Sequence, residues 1–121
     1  MELGLRRVVD TPTLVGCDLH VHARPSFDTE VEPDDRVLSL VAAGVELAVP
    51  SEHNVVGDYT AALEDTGLAG ELAWVRGVEV TTFGPRRGHF NVFPYEADEV
   101  PPFERTTVGK VFDAVRARAP T

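Results

Sequence analysis

One cysteine, Cys17, is the whole thiol content of this 121-residue sequence. That excludes an internal disulfide and any CxxC redox or zinc motif. Its place in the apolar run Leu14-Val15-Gly16-Cys17 predicts a small buried core residue. Long hydrophobic stretches are also missing. Nothing approaches the roughly 20 apolar residues of a membrane span, and residues 1–12 lack the apolar centre of a signal peptide, so a cytoplasmic protein is the default expectation. Basic residues are few, with 11 Lys and Arg against 20 Asp and Glu and a formal charge of −9. Such a chain repels nucleic acid and anionic membrane, which leaves a small-molecule substrate as the expected partner. No GxSxG elbow or Gly-rich phosphate loop is present to offer serine or P-loop chemistry. Internal repeats, low-complexity tracts and interdomain linkers are absent too.

What is present is an ordinary globular composition, 43% hydrophobic and 26% charged, in a length that suits one modest core. Residues 1–12 read as a lead-in and 13–121 as the domain. Four histidines occur, and none is left over for the plain surface. His20 and His22 end the run Asp18-Leu19-His20-Val21-His22, where strand alternation puts Asp18, His20 and His22 on one face and Leu19 and Val21 on the other. Two imidazoles at i and i+2 lie about 7 Å apart at Cα, so their rings can lean onto one divalent ion with bonds of about 2.0–2.1 Å. An isolated HxH is more often two histidines on a half-exposed strand, and the rest of the chain has to tip that balance.

Thr13–His22 reads as a strand and residues 23–31 as a loop rich in turn formers, Pro25, Ser26 and Asp28. Asp28 taken alone is a turn residue before it is a ligand. Pro33, Asp34 and Asp35 open a helix whose stripe is Val37, Leu38, Val41 and Ala42 and which Gly44 ends; helix-start chemistry accounts for both acids. Val45–Val49 is a second short strand, followed by Ser51-Glu52-His53-Asn54. Gly57 or Asp58 caps a helix running to about Thr66, with Tyr59, Ala62 and Leu63 on one side. Leu72–Val75 and Val78–Thr82 form strands around Gly77. Glu79, between two valines, is either an exposed edge residue or a buried carboxylate that needs a partner or a cation. Gly84 to Gly88 is a turn carrying Arg86 and Arg87, which are solvated or touch a phosphate group. His89 to Phe93 alternates again, with His89 and Asn91 on one face. Residues 94–105 read as a surface loop, and Thr107 caps a third helix with Val108, Val111, Phe112 and Val115 inward and Arg116 and Arg118 near its negative end.

The candidate ligands, His20, His22, Asp28, His53, Glu79 and His89, thus fall at strand ends or in the loops just after them, where α/β folds assemble their sites. A mixed nitrogen and carboxylate set suits zinc, manganese or iron better than magnesium or calcium. A divalent ion lowers the pKa of bound water to about 7 and supplies hydroxide at neutral pH. Hydrolysis is the chemistry this predicts.

Asp18-Leu19-His20-Val21-His22, Ser51-Glu52-His53-Asn54, Gly77-Val78-Glu79 and Gly88-His89-Phe90-Asn91 resemble, in order and spacing, the successive motifs of the PHP (polymerase and histidinol phosphatase) superfamily. The wording from Gly88 to Tyr95 looks most like its carbaryl-hydrolase-like branch of metallohydrolases. The resemblance implies an α/β fold, a distorted (β/α)7 barrel around two or three metal ions. By it, His20 and His22 hold the first ion and Asp28 and His53 the second. Glu79 bridges the first to a third ion, which His89 binds. Asp18, Asn54 and Asn91 become neighbours that orient ligands, and Glu52, where the family has Asp in Thr-Asp-His, becomes the candidate proton carrier. A further histidine and an Asp-x-His pair that complete the family's sites have no counterpart here. A full barrel takes about 200 residues or more, so the expectation is a partial barrel truncated after its third helix. Such a half-barrel is a fragment of a larger enzyme, or its open sheet edge is covered by a partner or a second copy. The function expected is a metal-dependent hydrolase acting on a phosphoester or on a carbamate, ester or amide. The alternative is a catalytically incomplete metal-binding module.

Overall fold

The computed structural model describes residues 12–83 and 88–118. The lead-in up to residue 11 and the turn arginines Arg86 and Arg87 lie outside the described residues. The described chain is a small mixed α/β fold with the order β1 (Cys17–Val21), α1 (Pro33–Ala42), β2 (Leu47–Pro50), α2 (Thr60–Thr66), β3 (Ala73–Trp74), β4 (Val78–Thr81), β5 (His89–Val92) and α3 (Val108–Arg116). β1, β2 and β3 form a parallel sheet in that spatial order, and β4 pairs with β5 antiparallel.

Crossover helices make the parallel pairing possible, because parallel neighbours cannot be joined by a tight turn. α1 starts where Pro33 supplies a fixed φ and Asp34 and Asp35 face the positive end of the helix dipole. Its buried stripe is Val37 and Leu40 with Val41 partly covered, while Leu38 is 47% exposed. The predicted inward place of Leu38 is therefore corrected: positions 37, 40 and 41 are one face at i, i+3 and i+4, and Leu38 lies about 100° round the helix from Val37. α2 begins at Thr60 with Tyr59 at its N-cap position, one residue later than the expected cap at Gly57 or Asp58; Asp58 Oδ1 accepts the Thr60 N–H at 2.7 Å, and Gly67 closes the helix in the left-handed conformation at φ 71°. Thr107 caps α3 as predicted, accepting the Lys110 N–H, but only Val111 is fully buried there and Val108 and Phe112 are 38% and 42% exposed.

Two apolar clusters result. Val21, Val37, Leu40, Ala48, Tyr59, Ala62, Leu63 and Leu72 fill the space between the parallel sheet and helices α1 and α2. Val78, Val80, Tyr95 and Val111 do the same between the β4–β5 pair and α3. The segment 94–105, predicted as surface, contributes Tyr95 and Pro101 to the interior.

The chain leaving β2 joins the two halves. Glu52 O accepts the Glu79 N–H at 3.0 Å, Asn54 N donates to Glu79 O at 2.9 Å, and Gly57 N donates to Gly77 O at 2.8 Å. Residues 52–57 thus run alongside β4 as a short parallel partner. Gly57 has to be glycine for this approach, since a Cβ there would stand 2.2 Å from Pro50 O. β4 is consequently flanked on both sides, and Glu79 is interior.

β1 departs from the expected regular strand. Asp18 pairs with Ala48 but Val21 pairs with Pro50, so three steps on β1 match two on β2. Such a bulge breaks the face alternation and parts Asp18 from the side shared by His20 and His22. Cys17, predicted to be buried, is exposed. β1 is an edge of its sheet, and the side carrying Cys17 and Leu19 has no layer packed on it among the described residues.

Candidate metal centre

All four histidines and two of the acids meet in one cleft of about 460 Å³ lined by His20, His22, Asp28, His53, Glu79 and His89. Five separate stretches supply them: β1 and its exit, the 23–28 turn, the segment after β2, and strands β4 and β5. Glu79 is the hub. Its carboxylate, 3% exposed, has His20 Nε2 at 2.9 Å and His22 Nε2 at 3.0 Å from Oε2, His53 Nδ1 at 3.4 Å from the same oxygen, and His89 Nδ1 at 2.6 Å from Oε1. Asp28, at the mouth, has His22 Nδ1 at 3.6 Å and His53 Nε2 at 3.4 Å.

These spacings suit ligands of shared cations. Two ligand atoms each about 2.1 Å from one ion lie no more than about 4.2 Å apart, and the nitrogen-to-carboxylate distances all fall within that. Three triads bring potential ligand atoms within 4.8 Å of one another: His20, His22 and Glu79; His22, Asp28 and His53; His53, Glu79 and His89. The side chains are thus placed to hold a metal ion. No family model matches the chain, and no curated protein matches it.

The supporting residues explain why the ligands point inward. Asn54 has φ 54°, a left-handed conformation that asparagine tolerates better than most residues. From there its side-chain amide donates to Thr81 O at 3.0 Å and accepts the Thr81 N–H at 2.8 Å, fastening the loop of His53 to the strand of Glu79. Arg36 of α1 donates from Nε to His22 O at 2.8 Å. Asp18 accepts the His20 backbone N–H at 3.2 Å and stays out of the cleft. Asn91 stands opposite Glu79 in the β4–β5 ladder but is exposed.

Glu52, the expected proton carrier, does not line the cleft. It is 2% exposed, takes the Ala23 N–H on both carboxylate oxygens at 3.0 Å and receives the Ser26 hydroxyl. The carboxylate that the family resemblance offered as a proton carrier instead turns back under the 23–26 turn. Sequence reasoning missed three residues. Ser26 was legible only as a turn former. Thr81, whose Oγ1 meets His53 Nδ1 at 2.5 Å, was findable, since it lies two residues after Glu79 on the same strand face. Phe27, 71% exposed, stacks on the His53 ring at 4.5 Å and 19° and carried no local signal.

Burial pushes the Glu79 carboxyl up, but hydrogen bonds from His20 and His89 outweigh it and hold its pKa below the ordinary value of 4.5. Burial also pulls His22 below 6.5, against the opposing pull of Asp28. Glu52 is pushed up from 4.5 by burial, partly offset by the Ser26 and Ala23 hydrogen bonds. The signs of the resulting stability changes differ. Between 6.5 and its lowered folded value His22 is protonated in the unfolded chain and neutral in the fold, so the unfolded chain binds more protons and stability falls as pH falls. The stability that Glu79 contributes is present above 4.5 and is lost as pH falls through its lowered value. Glu52 acts oppositely, its contribution being full below 4.5 and lost as pH rises through its raised value. The resistance of the chelator-treated protein to urea should therefore decline as pH drops from about 6.5, and His22→Ala should remove that first component. An unchanged pH profile in the variant would refute the assignment.

Proposed function

We propose that this chain carries the N-terminal part of a PHP-type barrel and works as a metal-dependent hydrolase on a phosphoester or on a carbamate, ester or amide. The observation that carries this reading is the convergence of four imidazoles on the buried Glu79 carboxylate with Asp28 at the mouth. His20, His22 and Glu79 would hold one ion, with Asp28, His53 and His89 completing neighbouring positions. The nitrogen-rich donor set favours zinc, manganese or iron. A divalent ion bound there would supply hydroxide at neutral pH and polarise the scissile group.

The chain's own residues supply the frame. Asn54 and Thr81 lock the His53 loop to β4, Arg36 anchors the end of β1, and Phe27 stands over His53 as an apolar wall at the entrance. His20 and His89, with side chains 51% and 55% exposed, form the rim that a substrate would meet.

The reading is tested with chelator-stripped protein, assayed on an aryl phosphomonoester and on an aryl carbamate before and after manganese or zinc is restored. Hydrolysis that returns with the metal and is absent from His20→Ala/His22→Ala supports it. Full metal content and activity in that double variant would sink it. A second reading, a metal-binding module without turnover, is favoured by β1, which among the described residues is an edge strand beside which Leu14, Val15 and Leu19 are 67%, 62% and 44% exposed. A partner or a second copy would cover these apolar side chains in such a module. Metal bound without turnover on either substrate decides for the module.

A further inference from the structure

Ser26 is 2% exposed, and its hydroxyl has three partners. Oγ lies 2.5 Å from Glu52 Oε2, 2.9 Å from the His53 backbone N and 3.0 Å from His22 Nδ1. A serine hydroxyl has one proton to give and two lone pairs to accept with. The His53 N–H can only donate, so it takes one lone pair. A carboxylate can only accept, so Glu52 takes the proton. The one remaining lone pair faces His22 Nδ1, and it is satisfied only if that nitrogen carries the imidazole proton. A neutral ring protonated at Nδ1 has a bare Nε2, and this is the atom 3.0 Å from Glu79 Oε2. That bare nitrogen is then free to act as a ligand atom beside Glu79, in the triad of His20, His22 and Glu79.

We propose that Ser26, oriented by Glu52, is a positioning residue that fixes His22 as the Nδ1–H tautomer and so leaves Nε2 free as a ligand. This gives the buried Glu52 carboxylate a task it performs from behind the cleft. It also explains why one hydroxyl serves two candidate ligands, holding the ring of His22 and the backbone of His53 at once. Reversing the chain of hydrogen bonds has the opposite result. Were Ser26 to donate to His22 Nδ1, the ring proton would sit on Nε2, and that nitrogen would be unable to ligate. The inference rests on the metal-centre reading only for its effect on affinity, because the tautomer exists in the metal-free chain.

The test is a two-bond proton–nitrogen correlation of the imidazole rings in the metal-free full chain, with His22 assigned by its absence from His22→Ala. The wild type should show His22 bare at Nε2. Ser26→Ala should move it toward the Nε2–H form and weaken zinc binding by about 10–100-fold, the range for lost outer partners of metal ligands. Ser26→Thr, which keeps the hydroxyl, should restore both. Should Ser26→Ala fail to fold, Glu52→Gln keeps the volume and offers Ser26 an N–H, and it should shift the tautomer in the same direction. An Nε2–H form in the wild type overturns the proposal, as does a tautomer unmoved by these substitutions. Absence of zinc binding with the tautomer as stated would fell the hydrolase reading and leave this one standing.

Discussion

Adding zinc or manganese to the chelator-stripped chain at about a hundred times its Kd should raise the melting temperature by about 10 °C. A ligand that binds only the folded state at that excess stabilises it by about 2.7 kcal/mol, and in a domain of this size each kcal/mol moves the midpoint by about 4 °C. The shift is expected to be large because the ligands are spread over both halves of the fold. His20 and His22 come from β1 and its exit, His53 from the segment joining the sheets, and Glu79 and His89 from the β4–β5 pair. An ion held by them ties together two apolar clusters that are otherwise separate. Without it, several imidazoles face a buried carboxylate and each other, with His22 and His53 ring centres 4.5 Å apart. Differential scanning calorimetry of wild type and His20→Ala/His22→Ala checks this. No shift in the wild type, or an equal shift in both, would contradict a metal centre at these residues.

Glu79→Gln should weaken metal binding by more than about 100-fold, exceeding the 10–100-fold typical of an outer partner. The substitution keeps the side chain's size and removes only its charge and one acceptor oxygen. Glu79 belongs to two of the three triads, so its loss disables both, whereas loss of Asp28 touches one. The carboxylate also balances the positive charge that a cation brings into a site whose other buried ligand, His53, is neutral when it coordinates. Elemental analysis and zinc titration against a competing chelator would measure the change. A Glu79→Gln protein that binds within tenfold of wild type would remove Glu79 from the ligand set.

How far the sequence foretold this site depends on the distance over which each signal acts. Alternation in Asp18-Leu19-His20-Val21-His22 brings the two imidazoles together correctly, with ring centres 4.8 Å apart, because facing on a strand is settled by neighbours two residues away. The same rule fails for Asp18, since a bulge depends on how β1 meets β2 and leaves no trace in β1 alone. Glu79 was ambiguous between an exposed edge and a buried hub. Its surroundings come from His20, 59 residues earlier, and from the 52–57 segment that covers its strand.

The sequence by itself determined the α/β alternation, the helix starts at Pro33 and Thr107, the helix end near Thr66 and the identity of the ligand-type side chains. These follow from backbone sterics, caps and periodicity, which act within a turn or a few residues. Only the tertiary structure decided that Cys17 is exposed, that Glu52 lies behind the cleft and that Ser26, Thr81 and Phe27 support the histidines. Those outcomes depend on which surfaces the sheets and helices cover, and on hydrogen bonds between residues that the chain brings together only by folding.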